Sequence, residues 1–158
     1  MKKLNHTAVL LGCLLLPFLA AGFGSLFMGA VDSSWYLNLV QPAWSPPRWL
    51  FGPAWTILYL LMGLASFFIW KSRKSKARTV ALRLYAVQLV VNAIWTPIFF
   101  GAELVGLAFL DILILDMLVL MLIIKAWKVE KWAAIALLPY IGWILFATTL
   151  NGAILRLN

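Results

Sequence analysis

Five apolar runs constrain this chain more than any other feature: residues 7–30, 51–70, 80–100, 104–124 and 132–152. A helix rises about 1.5 Å per residue and the hydrocarbon of a bilayer is about 30 Å thick, so roughly 20 apolar residues suffice to cross it. The runs take up about two thirds of the 158 residues and leave no room for a separate soluble domain. With 65% hydrophobic and 11% charged residues, the chain has far more apolar surface than a water-soluble fold can hide. The expectation is one all-α domain over 1–158. It is an integral membrane bundle of five transmembrane helices, with a structured Pro/Trp-rich loop between the first and second.

The opening stretch, MKKLNHTAVLLGCLLLPFLAAGFGS, has two lysines before its apolar run and an LLGC sequence, features shared with cleaved export signals. Only about six apolar residues precede Cys13, and the run outlasts a signal core. It is therefore read as the first helix. Cys13 is the one cysteine, so it makes no intramolecular disulfide, and its apolar setting argues against redox chemistry.

A net charge of +8 would suit a nucleic-acid binder if the cations formed one polar surface. They are sorted by side instead. Five spans put the amino terminus and the loops at 71–79 and 125–131 together, with Lys2, Lys3, Lys71, Arg73, Lys74, Lys76, Arg78, Arg83, Lys125, Lys128 and Lys131. The other side has only Arg48 and Arg156. This bias predicts a cytoplasmic amino terminus and an external carboxyl terminus, with a bacterial inner membrane as the default and an outer membrane left open. KSRKSKAR then sets topology and touches anionic membrane lipid, and without aromatic readers it implies no nucleic acid.

Nine tryptophans divide by position. Trp70, Trp127 and Trp132 fall at helix ends beside basic residues, where indoles favour the headgroup layer. Trp55, Trp95 and Trp143 lie inside predicted spans, each in a stripe. In the third span Gln88, Asn92, Trp95 and Phe99 share one face; the second repeats the spacing with Trp55, Tyr59, Met62 and Ser66. The fifth sets Pro139, Trp143, Ala147 and Asn151 at i+4 steps. Amides facing lipid would stay unpaired at a cost of a few kcal/mol, so these faces point inward. They serve either as helix-packing surfaces or, facing one another, as an aromatic cavity with polar anchors. In the first span Ala21, Ser25 and Gly29 read as a close-packing or dimerisation stripe.

Asp111 and Asp116 are acids within the fourth span, where a charge costs about 2.5 to 3.5 kcal/mol at a helix centre. Each is expected to be neutralised, paired or turned inward, and about 140° of helix separates them. Structural pairing and a ligand or proton role both remain open.

The connector QPAWSPPRWLFGPAW holds Pro42, Pro46, Pro47 and Pro53, which fix the backbone, whereas a flexible link would be rich in Gly and Ser. It is read as a folded lid, with Trp44 and Trp49 packed down on the bundle mouth and Arg48 near water.

Three stretches, WYLNLVQPAWSPPRWLFGPAWTILY, QLVVNAIWTPIFFG and ALLPYIGWILFATTLN, carry a resemblance to the tryptophan-rich sensory protein or translocator protein (TspO/MBR) family, also called the peripheral-type benzodiazepine receptor. The resemblance runs from Trp35 to Asn151. It implies a five-helix membrane bundle, commonly a homodimer, that binds porphyrins and other tetrapyrroles and, in many members, isoquinoline carboxamides and sterols. Carried onto matching positions, it places ligand contacts at Tyr36, Trp44, Pro46, Trp55, Asn92, Trp95, Phe99, Trp143 and Ala147. Some bacterial relatives promote light-dependent breakdown of protoporphyrin IX, with tryptophans matching Trp55 and Trp143 implicated. The animal members' sterol pattern needs a tyrosine before a terminal basic residue, and TTLNGAILR has none before Arg156. The reverse pattern is met at Arg83, Tyr85 and Val87.

The favoured mechanism slides a flat macrocycle between Trp55, Trp95 and Trp143, anchored by Asn92 beneath the lid. His6 is the one histidine and lies at the terminus, so haem ligation is poorly served and metal-free protoporphyrin IX is the better ligand. No metal site and no required cofactor are expected. A hydrolase would need a nucleophile beside a base, and no histidine lies in a predicted span. The alternative is a transporter of tetrapyrroles or sterols, although no inverted repeat is evident.

Overall fold

The computed structural model describes residues 5–27 and 34–158. Six α-helices are present among them: α1 (His6–Ser25), α2 (Ser34–Asn38), α3 (Phe51–Lys71), α4 (Lys76–Thr96), α5 (Val105–Val129) and α6 (Lys131–Leu157). All except α2 are long and apolar enough to cross a membrane. Neighbour contacts run α1–α3–α6–α5–α4 and return to α1, so the five long helices form a closed ring.

Helix boundaries depart from the sequence reading where capping decides them. The third long helix begins at Lys76 instead of near residue 80, because the Ser75 hydroxyl accepts a hydrogen bond from the Arg78 N–H at 3.1 Å. Most of the expected 71–79 loop is thus helical. The fourth runs on to Val129 and the fifth starts at Lys131, which leaves Glu130 as the whole turn; its carboxylate accepts from Trp132 N–H at 3.4 Å. The first ends at Ser25, where the serine hydroxyl donates to Gly22 C=O at 2.7 Å in a glycine-rich stretch. Leu26 and Phe27 form a turn after it, and the rest of the expected span, residues 28–30 with Gly29, lies outside the described residues.

Packing of α1 on α3 rests on two residues. Pro17, buried inside α1, has no N–H, so Cys13 C=O loses its usual helical partner. Gly63 of α3 sits against that carbonyl: a Cβ there would come 2.9 Å from Cys13 O and 2.8 Å from Leu14 Cα. Both obstacles are backbone, so α1 itself would have to move. Gly63→Val is expected to cost about 1 to 3 kcal/mol through overpacking and to lower the thermal midpoint in detergent. An unchanged midpoint would show that α1 is not held by this contact.

The core is built from the inward faces of α3 to α6, with Met62, Val119, Leu122, Leu137 and Ile144 fully buried. Tyr85 is also buried, whereas Val87 and Arg83 are exposed. The tyrosine of the reverse sterol pattern therefore faces the bundle and is not presented to lipid.

Residues 34–50 form a structured cap, as the prolines require. Its backbone is tied to the end of α6 by Asn158, whose side chain accepts from Val40 N–H at 2.9 Å and donates to Val40 C=O at 3.1 Å. A short 3-10 turn, Arg48–Leu50, leads directly into α3.

Candidate ligand cavity

A cavity of about 330 Å³ occupies the ring of helices, within the size range of small-molecule sites. Its walls come from α1, α3, α4, α5 and α6, with Tyr36 and Arg48 contributed by the cap. Of the nine contact residues expected from sequence, Tyr36, Trp55, Asn92, Trp95, Phe99, Trp143 and Ala147 line it.

Trp44 and Pro46 do not. Trp44 is 50% exposed and packs edge-on against Phe146, 5.8 Å between ring centres. Pro46 lines a separate apolar groove on the outer face between α3 and α6, with Ile57, Pro139, Gly142 and Trp143. Trp49 is 71% exposed and is not packed down on the bundle mouth. The parts of the cap region that reach the cavity are Tyr36 and Arg48, followed by Phe51 at the start of α3.

The stripes converge with one correction. Gln88, Asn92 and Phe99 are buried and Trp95 half-buried, so that face of α4 points inward. On α6 Pro139 is exposed, and the inward face runs Tyr140, Ile144, Ala147, Asn151. Strict i+4 steps drift about 40° each around a helix of 3.6 residues per turn, so the sequence stripe spirals off the cavity at its Pro139 end. Trp143 lies on the boundary and forms a wall of both cavity and groove.

Hydrogen bonds fix the polar groups. Asn92 Nδ2 donates to Tyr140 OH at 3.2 Å, and Tyr140 OH donates to Gln88 Oε1 at 3.0 Å. Trp95 Nε1–H donates to Asn151 Oδ1 at 3.3 Å, and Asn151 Nδ2 donates to Val105 C=O at 3.2 Å. Trp143 Nε1–H is buried with no partner among the described residues. An unpaired indole N–H forfeits about 1 to 3 kcal/mol, which a ligand acceptor would recover.

The aromatic walls are ordered by ring contacts. Trp95 stacks on Phe99 at 4.9 Å, and Trp55 stacks on Tyr59 at 5.2 Å. Phe51 meets Trp143 edge-on at 5.8 Å. After α4 a π-helical turn, Pro97–Gly101, closes with Ala102 N–H donating to Pro97 C=O at 2.8 Å. The wider turn brings both Phe99 and Phe100 to the cavity, although they are consecutive residues.

Two sequence expectations change in role. Ala21 and Ser25 of α1, read as packing residues, line the cavity together with Gly24. Asp116 is paired, accepting from Thr148 Oγ1 at 2.8 Å. Asp111 is buried, and its Oδ2 has no partner among the described residues. Neither acid lines the cavity. Tyr140, Arg48 and Phe100 were missed; the first lay in no stripe containing tryptophan, and the other two depend on cap and π-turn geometry.

The TspO/MBR family profile matches residues 13–157. The chain is 38% identical over 150 residues to the translocator protein of Homo sapiens, covering 94% of this chain and 89% of that protein. It is 40% identical over 145 residues to the tryptophan-rich protein TspO of Archaeoglobus fulgidus, covering 91% and 94%. With the tryptophan-rich sensory protein of Cereibacter sphaeroides it shares 38% identity over 147 residues, covering 92% and 91%. A closed ring of five membrane-length helices around a tryptophan-lined cavity, together with matches along nearly the whole chain, places this protein in the TspO/MBR family of multi-pass integral membrane proteins.

Proposed function

We propose that this protein is a membrane receptor for porphyrins such as protoporphyrin IX, and that light drives breakdown of the bound pigment. The convergence of Trp55, Trp95 and Trp143 from three helices on one cavity carries this reading. Indole faces stack on a flat macrocycle, and burial in an apolar chamber supplies affinity without a metal ligand. The unpaired Trp143 N–H and the held amide of Asn92 supply directional contacts. Isoquinoline carboxamides and sterols are further apolar occupants of the same chamber. The protein works as a homodimer in a bacterial inner membrane with its amino terminus in the cytoplasm, where the basic helix ends meet anionic lipid. One relative carries the name sensory protein, and occupancy of the cavity is the signal such an output would read.

The test is a dark titration of detergent-purified protein with protoporphyrin IX, followed by tryptophan quenching, in the parent and in Trp55→Phe/Trp143→Phe. Saturable micromolar quenching that weakens in the double variant is the expected result. Absence of saturable quenching in the parent would remove the porphyrin reading and leave the fold untouched.

A further inference from the structure

Five of the nine residues from 71 to 79 are basic and none is acidic. Four of them, Lys71, Arg73, Lys74 and Lys76, are exposed, and side chains of that kind attract anionic lipid without holding any one molecule. Arg78 is different. It is half-buried, its Nε–H donates to Ile69 C=O at 3.3 Å, and its guanidinium carbon lies 6.0 Å from the centre of the Trp70 ring. Ile69 C=O belongs to the last turn of α3, where a helix leaves its carbonyls unpaired, and it also accepts from Ser72 Oγ at 2.7 Å.

Trp70 brings a third helix to the same corner. The His6 ring, at the start of α1, meets the indole edge-on at 5.8 Å, and Phe67 stacks along it at 6.2 Å. The ends of α1, α3 and α4 thus meet around one indole, and the guanidinium is fixed there through a single N–H and its face. Its two Nη groups have no partner among the described residues. A fork of N–H donors whose orientation is already set is what bidentate recognition of a phosphate requires. The corner also lies at membrane depth: indoles at helix ends favour the headgroup layer, and the exposed apolar residues Leu11 of α1 and Val80 of α4 continue from it toward the membrane interior.

We infer that Arg78, with Trp70 and His6, forms a binding site for one anionic phospholipid, the guanidinium fork holding the phosphate and the acyl chains lying along α1 and α4. The partner is anionic because the 71–79 stretch beside the site is basic without a compensating acid, so it attracts the net charge of a phosphatidylglycerol and repels the choline of a phosphatidylcholine, although both carry the phosphate. It is a lipid and not free phosphate because the site lies at the ends of membrane-length helices with exposed apolar side chains beneath it. The inference goes beyond a general attraction of basic helix ends for anionic lipid by assigning one corner and one cation, and it is independent of the porphyrin reading. Since α1 also supplies Ala21 and Gly24 to the cavity wall, a lipid bridging α1 to α4 braces that wall.

Lipid-stripped protein in a neutral detergent is titrated with dioleoylphosphatidylglycerol or dioleoylphosphatidylcholine, and bound lipids are counted by native mass spectrometry. The parent should retain one phosphatidylglycerol about three- to tenfold more tightly than phosphatidylcholine, the size expected for a charge-assisted pair at a partly solvated boundary. Arg78→Gln should abolish the preference by weakening phosphatidylglycerol alone, and Arg78→Lys should restore only part of it. Lys74→Gln removes the same charge from an exposed neighbour and should leave the preference nearly intact. Trp70→Leu keeps every charge but removes the ring on which the guanidinium is stacked; it should also reduce the preference, so the test does not depend on Arg78→Gln remaining folded. Parity of the two lipids in the parent, or an unchanged preference in Arg78→Gln or Trp70→Leu, overturns the site. Equal losses in Arg78→Gln and Lys74→Gln overturn it in favour of a diffuse basic surface. Glycerophosphoglycerol, the headgroup without acyl chains, should not displace the bound lipid at equal concentration, and displacement by it overturns the lipid assignment.

Discussion

Replacing Ala147 with phenylalanine should weaken protoporphyrin IX binding by about 10- to 100-fold, since forcing extra side-chain volume into an occupied site costs about 1 to 3 kcal/mol and each 1.4 kcal/mol is tenfold. Ala147 lies on the inward face of α6, four residues beyond Trp143, with its methyl group toward the cavity. A phenyl ring there would take a substantial share of about 330 Å³. The empty protein should tolerate it, because the ring enters open space and displaces no packed side chain. The expected result is therefore a large loss of affinity in the quenching titration with a thermal midpoint equal to or above the parent's. This pairing of effects separates the cavity from the outer groove. Undiminished affinity in Ala147→Phe would mean that the porphyrin sits against the α3–α6 groove, where Pro46 and Gly142 lie and Ala147 does not.

Periodicity made most of the bundle legible. Five apolar runs became five membrane-length helices because hydrocarbon thickness leaves little freedom in length, and the inward faces of α3 and α4 followed from amides and indoles that lipid would leave unpaired. Their ends were less legible. Ser75 and Glu130 cap helices inside stretches that read as basic loops, so charge hid local hydrogen bonding.

The cavity was legible where a stripe was straight and was lost where backbone geometry broke the period. Phe99 belongs to the α4 stripe, but Phe100 reaches the same chamber only because the π turn widens the helix there. Pro139 fell off the α6 face through the drift of repeated i+4 steps. The cap carries no periodicity at all, so nothing in its sequence fixes which of Tyr36, Trp44, Pro46, Arg48 and Trp49 turns inward. The bundle settles it through contacts distant in sequence, such as Asn158 with Val40 and Tyr36 with Phe100.

Trp143→Phe should slow light-driven bleaching of bound protoporphyrin IX severalfold at equal occupancy, while dark binding weakens only by the lost N–H contact. A phenyl ring retains most of the stacking surface at the wall between cavity and groove, so burial and ring contact with Phe51 persist. What it removes is an indole, a far better one-electron donor to an excited porphyrin than benzene. The three cavity indoles are not equivalent. The Trp95 N–H is held by Asn151 and its ring is stacked on Phe99, whereas the Trp143 N–H has no partner among the described residues. Trp143 can therefore meet the macrocycle with both its face and its N–H. Bleaching rates are compared at equal occupancy under one light dose in the parent, Trp143→Phe and Trp95→Phe. A fall confined to Trp143→Phe identifies this indole as the photochemical partner. Equal rates in all three proteins would make the chamber a binding site in which the porphyrin bleaches by its own photochemistry, and equal slowing in both variants would assign the effect to ligand packing.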